Sequence, residues 1–193
     1  VPDNVPQPFL EALDSLRGHT FRDEFFLQEV PAPTRLAPWA AALTAEVNDS
    51  GSERDPDAYR GDARFVLLYD PDEQPAWNGP FRIVVHVSAP VESEMGADPF
   101  LGEVAWSWLT DALDRHGAQY HSLNGTVTRQ LNGTFGGLHI NESRVTIDIR
   151  ASWSPRDTQI GAHLTAWADF SCEASGLEPD DVTSISPRPD RLS

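Results

Sequence analysis

Phe81-Arg-Ile-Val-Val-His-Val-Ser-Ala-Pro90 and Arg144-Val-Thr-Ile-Asp-Ile-Arg-Ala-Ser-Trp-Ser-Pro155 alternate along their length, as half-buried strands do. In the first, Phe81, Ile83, Val85, Val87 and Ala89 share one face, while Arg82, Val84, His86 and Ser88 share the other. In the second, Val145, Ile147, Ile149, Ala151 and Trp153 point inward; Thr146, Asp148, Arg150 and Ser152 point outward. Each stretch leads through a polar loop into a Trp-bearing helix that stops at a glycine. One helix carries Trp106 and Trp108 and stops at Gly117; the other carries Trp167 and stops at Gly176. Trp108 and Trp167 each stand nine residues before their glycine. The doubled unit predicts helices packed on a sheet through aromatic anchors. It specifies an architecture and no chemistry.

Working outward, Phe9, Leu10, Leu13 and Leu16 predict an amphipathic helix closed by Gly18. Glu24 to Val30 reads as a strand ended by Pro31-Ala-Pro33. Leu36 to Val47 reads as a second helix, with Pro38 in its first turn and Trp39, Leu43 and Val47 at helical spacing. The polar stretch 48–62 reads as a mobile surface loop, and Arg64 to Tyr69 as a central strand. In the helix from Phe100 to His116, Trp108 falls near the centre of the apolar stripe and Trp106 at its edge. Asn124-Gly125 and Asn132-Gly133 bracket Thr126 to Leu131 as hairpin punctuation, and Gly136-Gly137 adds a bend. A last helix, Thr158 to Ser175, buries Ile160, Leu164, Trp167, Phe170 and Ala174.

These elements predict one α+β domain over 9–177, with loose tails at 1–8 and 178–193. Its sheet is antiparallel or mixed, of about five to six strands, with helices packed on it. The β-α-β-β-α-β series within it fits a ferredoxin-like core with additions.

Composition narrows the function classes. Thirty acids against fourteen bases, every base an arginine, give a formal net charge of −16 over 193 residues. Such a surface repels phosphate backbones and anionic lipids, so direct nucleic-acid binding and membrane association are disfavoured. No long apolar run and no signal-like start are present, which predicts a cytoplasmic protein. The one cysteine, Cys172, reads as a small core residue inside a helix. The six histidines fall at no ligand spacing, and nothing calls for a metal or a cofactor. There is no G-x-S-x-G elbow, and without lysine no Schiff base or phosphate-loop lysine. The glycines at 132–137 do not join a strand to a helix, so they serve turns rather than a phosphate cradle. Glu92, Glu94, Asp98 and Glu103 crowd a helix start, where capping accounts for them.

Three groups of residues carry functional weight against plainer readings. His163, one helical turn before Trp167, is either a buried, hydrogen-bonded histidine or a general acid/base in a cleft. Arg82, His86 and Arg150 lie on outward strand faces, as solvated charges or as a modest anion-binding patch. Trp77, Trp106 and Trp153 read as half-buried core edge or as a surface for a partner or for self-association.

Several blocks together resemble a known family. They include Glu29-Val-Pro-Ala-Pro-Thr-Arg-Leu-Ala-Pro-Trp39, Arg64-Phe-Val-Leu-Leu68, Ala76-Trp-Asn-Gly79, Val104-Ala-Trp-Ser-Trp-Leu109, Gly125-Thr-Val-Thr-Arg129 and Ile149-Arg-Ala-Ser-Trp-Ser-Pro155. Over about residues 8 to 179 the chain resembles the actinobacterial domain-of-unknown-function family numbered three thousand. The resemblance implies a single cytoplasmic domain from GC-rich bacteria, with genes often near a ribonuclease D-like gene. It implies no activity and no catalytic residue.

The leading functional expectation is therefore a non-catalytic binding or interaction module that takes a protein partner or self-associates. The alternative is a small enzyme or ligand-binding protein with a site near Arg82, Arg150 and His163. A third reading, from charge and the implied gene neighbourhood, is an acidic regulator of a nucleic-acid-processing enzyme.

Overall fold

The structure is a computed structural model and describes residues 4–49, 56–133, 135–136 and 144–179. Six strands form one antiparallel sheet: β1 (Phe25–Val30), β2 (Trp39–Asn48), β3 (Tyr59–Tyr69), β4 (Phe81–Val91), β5 (Tyr120–Asn132) and β6 (Arg144–Pro155). Their order is β1-β2-β3-β4-β6-β5, and every pairing is antiparallel. The helices are α1 (Gln7–Ser15), the short α2 (Ser93–Ala97), α3 (Leu101–Arg115) and α4 (Gly161–Ala174).

Strands β1 to β4 form a meander. The chain then leaves β4, runs through α2 and α3, and enters β5 with β6 lodged between them, a split β-α-β unit. The expected ferredoxin-like core is present in permuted order. Strands β3, β4, β6 and β5 stand side by side as its four strands do, but β3 precedes the unit instead of following α4. The seam is tight: a Cβ on Gly61, near the start of β3, would lie 2.5 Å from Ser175 Oγ at the end of α4.

The main core lies between the sheet and the helices. Phe65, Leu67, Ile83, Val85, Val87, Ile147, Ile149 and Trp153 supply the sheet side; Ala105, Leu109, Leu113, Leu164, Trp167 and Phe170 supply the helix side. Trp167 is fully buried, edge-on to Phe25 and tilted against Phe65, each with centroids 5.4 Å apart. Both long helices end in the same hydrogen-bonded turn. Gly117 and Gly176 hold positive φ (67° and 84°), and the next residue donates back to Leu113 or Cys172 in the respective helix.

Five sequence expectations need correction. Residues Leu36 to Val47 are not a helix: β2 occupies the stretch. Positions 39, 43 and 47 are spaced by four, which satisfies a helix and a strand alike, and pairing with β1 and β3 decides. The loop 48–62 is shorter, since β2 reaches Asn48 and β3 begins at Tyr59; residues 50–55 lie outside the described residues. Asn124-Gly125 makes no turn, because β5 runs straight through it. Gly125 is needed for close approach instead. A Cβ there would meet the Arg150 carbonyl and lie 2.7 Å from Trp106 Cζ3. Trp108 is a half-buried flank of α3, whose centre is Ala105, Leu109 and Ala112. At the chain ends, α1 begins at Gln7 within the stretch read as tail, and residues beyond 179 lie outside the described ones, as does Gly137.

Candidate functional site

All the long helices lie on one side of the sheet, so the residues between the core positions face away from them. Antiparallel register lines these residues up in rows across the strands. One row is Val30, Ala42, Val66 and Val84; Trp77, from the loop before β4, folds over it beside Leu68 to make a small apolar cluster. The next row is Gln28, Thr44, Arg64, His86, Arg150 and Thr126. The third is Phe26, Glu46, Asp62, Ser88, Asp148 and Thr128. Rows lie roughly 7 Å apart along the strands, and neighbours within a row roughly 5 Å apart. This open face is thus banded: apolar, then basic, then acidic.

Arg64 and Arg150 are exposed and hold no hydrogen bond or ion pair among the described residues. His86 lies between their strands and places Nε2 2.5 Å from Asp148 Oδ1 in the acidic row. The Tyr59 hydroxyl donates to Asp62 Oδ2 at 2.6 Å; burial first, and that carboxylate next, push its phenol above the ordinary value. A groove of about 480 Å³ runs over the basic and acidic bands from Phe26 to His86.

Arg82 shares this face but is not available for a ligand. It is buried, and its guanidinium donates to Ser122 O, Ser154 Oγ, and Ser152 O and Oγ at 2.8 to 3.3 Å. All these acceptors are neutral, and burial lowers its pKa. Ser122 sits in a β-bulge with φ 55°, and Asn78, at φ 53°, donates to its hydroxyl. Arg82 therefore clamps the ends of β4, β5 and β6 together.

The other nominated residues lie on the opposite side of the sheet. Trp153 is fully buried, and its indole N–H donates to His163 Nδ1 at 2.9 Å. An indole N–H only donates, so Nδ1 must accept and the imidazole is neutral, with its proton on Nε2. Burial pushes the His163 pKa down to about 4, against a smaller opposing pull from Asp157. His163 is hydrogen-bonded core, partnered by a side chain rather than the backbone. With the sheet between them, Arg82, Arg150 and His163 do not converge on one pocket. Of the three tryptophans read as half-buried core edge or as a partner surface, Trp77 and Trp153 are buried, and Trp106 is half exposed, seated on Gly125.

Sequence reasoning missed a second cluster. His116, at the end of α3, has Nε2 2.5 Å from Asp169 Oδ2 on α4, with Arg115 Nη2 3.9 Å from the same oxygen. They line a cleft of about 370 Å³ that also reaches Cys172 and Glu173. Burial raises the Glu173 pKa. Asp169 and Cys172 are three apart and share a helical face, but only the antiparallel packing of α3 on α4 brings His116 to them. Among the described residues no cluster of metal-ligating side chains occurs, and no helix is long and apolar enough to cross a membrane.

Fold and site together define a two-layer α+β domain with one helix-covered face and one open, charge-banded face. The chain matches, over residues 5–183, the model of a family described as a protein of unknown function, DUF3000, and belongs to that family. No curated protein and no solved structure matches it.

Proposed function

We propose that this is a non-catalytic interaction module of the cytoplasm whose docking surface is the open face of the sheet. The observation that supports this most is the basic band. In a chain of net charge −16, two arginines of one row, Arg64 and Arg150, on either side of His86, stay exposed with no ion pair among the described residues while an acidic band runs beside them. Unpaired charge on a sheet contributes little to stability, and matched bands of opposite sign fix the register of a partner. The partner that fits is a protein segment lying across the strands. It would set an acidic stripe against Arg64 and Arg150 and a basic stripe against Glu46 and Asp62.

The test is affinity capture at low salt, with the retained proteins identified by mass spectrometry. The comparison is with the double variant Arg64→Glu, Arg150→Glu. A partner held by the wild-type protein, released by moderate salt and lost from the double variant is the expected result. Equal capture by both proteins, or no specific partner for either, would overturn the reading.

A further inference from the structure

The two edges of the sheet are built differently. Strand β1 is six residues long, carries Glu29 and runs into Pro31 and Pro33; short length, charge and proline all discourage further pairing. Strand β5 is thirteen residues long, contains no proline, and has no strand on its outer side among the described residues. Its sequence is neutral where the rest of the chain is not. From Gly117 to Asn141 the single formally charged residue is Arg129, and its guanidinium is turned inward to donate to the Gly96 carbonyl at 2.7 Å. From Asn124 to Asn132 the strand keeps unbroken register with β6, a straight run of roughly 30 Å.

We infer that β5 pairs antiparallel with the β5 of a second copy of this chain, about a two-fold axis at Thr128, to form one continuous twelve-stranded sheet. This surface is distinct from the open face and does not depend on the reading given above for that face.

The register follows from what the edge leaves uncovered. Centred on Thr128, the pairing sets Leu131 of each copy opposite Gly125 of the other. Leu131 is 73% exposed, and Gly125 is the position with no side chain, roofed by half-exposed Trp106. The lone exposed apolar side chain of the strand thus fills the gap beside half-exposed Trp106. On the open face the same register pairs Thr126 with Gln130 and Asn124 with Asn132, side chains that donate and accept hydrogen bonds without charge. A two-fold contact of this kind closes at two copies and leaves no free β5 edge. The partner is a second copy because the neutral edge suits a chain that otherwise repels itself at −16.

The test is sedimentation across a concentration series for wild type, Thr128→Lys and Leu131→Lys, with circular dichroism to check folding. Wild type is expected to dimerise, more strongly as salt screens the net charge. Thr128→Lys, which sets two ammonium groups against each other at the axis, is expected to weaken the dimer by about tenfold or more. Thr128→Cys in a Cys172→Ser background is expected to form an intermolecular disulfide, since directly paired Cα atoms lie roughly 4.5–5.5 Å apart, within bridging range. Thr126→Cys, displaced from the axis, is expected not to. A wild-type protein that stays monomeric at every concentration and salt would overturn the inference. So would a dimer that both lysine variants leave intact. Because salt strengthens this contact and weakens charge-banded docking, failure of one proposal is distinguishable from failure of the other.

Discussion

The two faces of the sheet come from the same strands and differ by one residue in register. On the covered face, Phe65, Ile83, Ile149 and Trp153 disappear under α3 and α4 with almost no exposed area. One position along, on the same strands, Arg64, His86, Asp148 and Arg150 form charged bands with only the loop at Trp77 folded over one end. The covered face holds the molecule together through apolar area and close packing; on the open face that role falls to the Arg82 clamp and the Trp77 cluster at one end, and the charged bands contribute little to it. Substitutions should therefore separate, with stability responding in the covered core and little affected in the charged bands.

The strongest test of that separation is Trp167→Ala. It removes a fully buried indole from between Phe25 and Phe65, and a change of this kind costs about 3–5 kcal/mol. Urea unfolding followed by tryptophan fluorescence should show the midpoint collapse. A loss below about 1 kcal/mol would mean that the covered face is not the seat of stability.

A smaller effect is expected from acid. His163 is neutral and held near 4 in the fold, against 6.5 for an ordinary histidine. Between those values the unfolded chain binds a proton that the folded chain does not, so stability falls as the pH drops from 6.5 toward 4. The full difference is about 3 kcal/mol, and it is absent above pH 6.5. His163→Gln retains an acceptor for the Trp153 N–H, and its unfolding free energy should lack this slope. An unchanged slope in the variant would place the proton uptake elsewhere.

The smallest change in stability belongs to the open face. Arg64→Glu with Arg150→Glu should shift the unfolding free energy by no more than about 0.5 kcal/mol, because both side chains are solvated and unpaired. A large loss there would show that the bands hold the sheet together and would blur the distinction between the faces.

Much of this arrangement is legible in the sequence, and the misreadings have physical causes. Strands β4 and β6 and helices α3 and α4 announce themselves through unambiguous period and glycine stops, because local sterics determine both. The co-facial placement of Arg82, His86 and Arg150 also follows from alternation alone. Their division of labour does not. Arg82 is a clamp because Ser122, Ser152 and Ser154 converge on it from two other strands. Strand β2 was hidden by spacing that suits two structures, and Gly125 by a dipeptide that usually makes turns. His163 and Trp153 are both visible as unusual residues, but that they satisfy each other depends on the packing of α4 over β6. The His116–Asp169 pair joins residues from two helices with no common motif, so no local pattern reveals it.

The permuted order of the sheet has a consequence for how the chain reaches its fold. Strand β3 lies beside β4 from the start, but the helix that covers it is α4, and Phe65 meets Trp167 only after roughly a hundred intervening residues have been made. On a ribosome, β1 to β4 therefore emerge as a meander whose apolar side is covered only where Phe9 of α1 packs on Trp39 and Tyr69. The last tryptophan to be synthesised closes a contact with one of the earlier strands. Such long-range closure slows folding. Until α4 arrives, the surface that later forms the core is the most exposed and aggregation-prone part of the nascent chain.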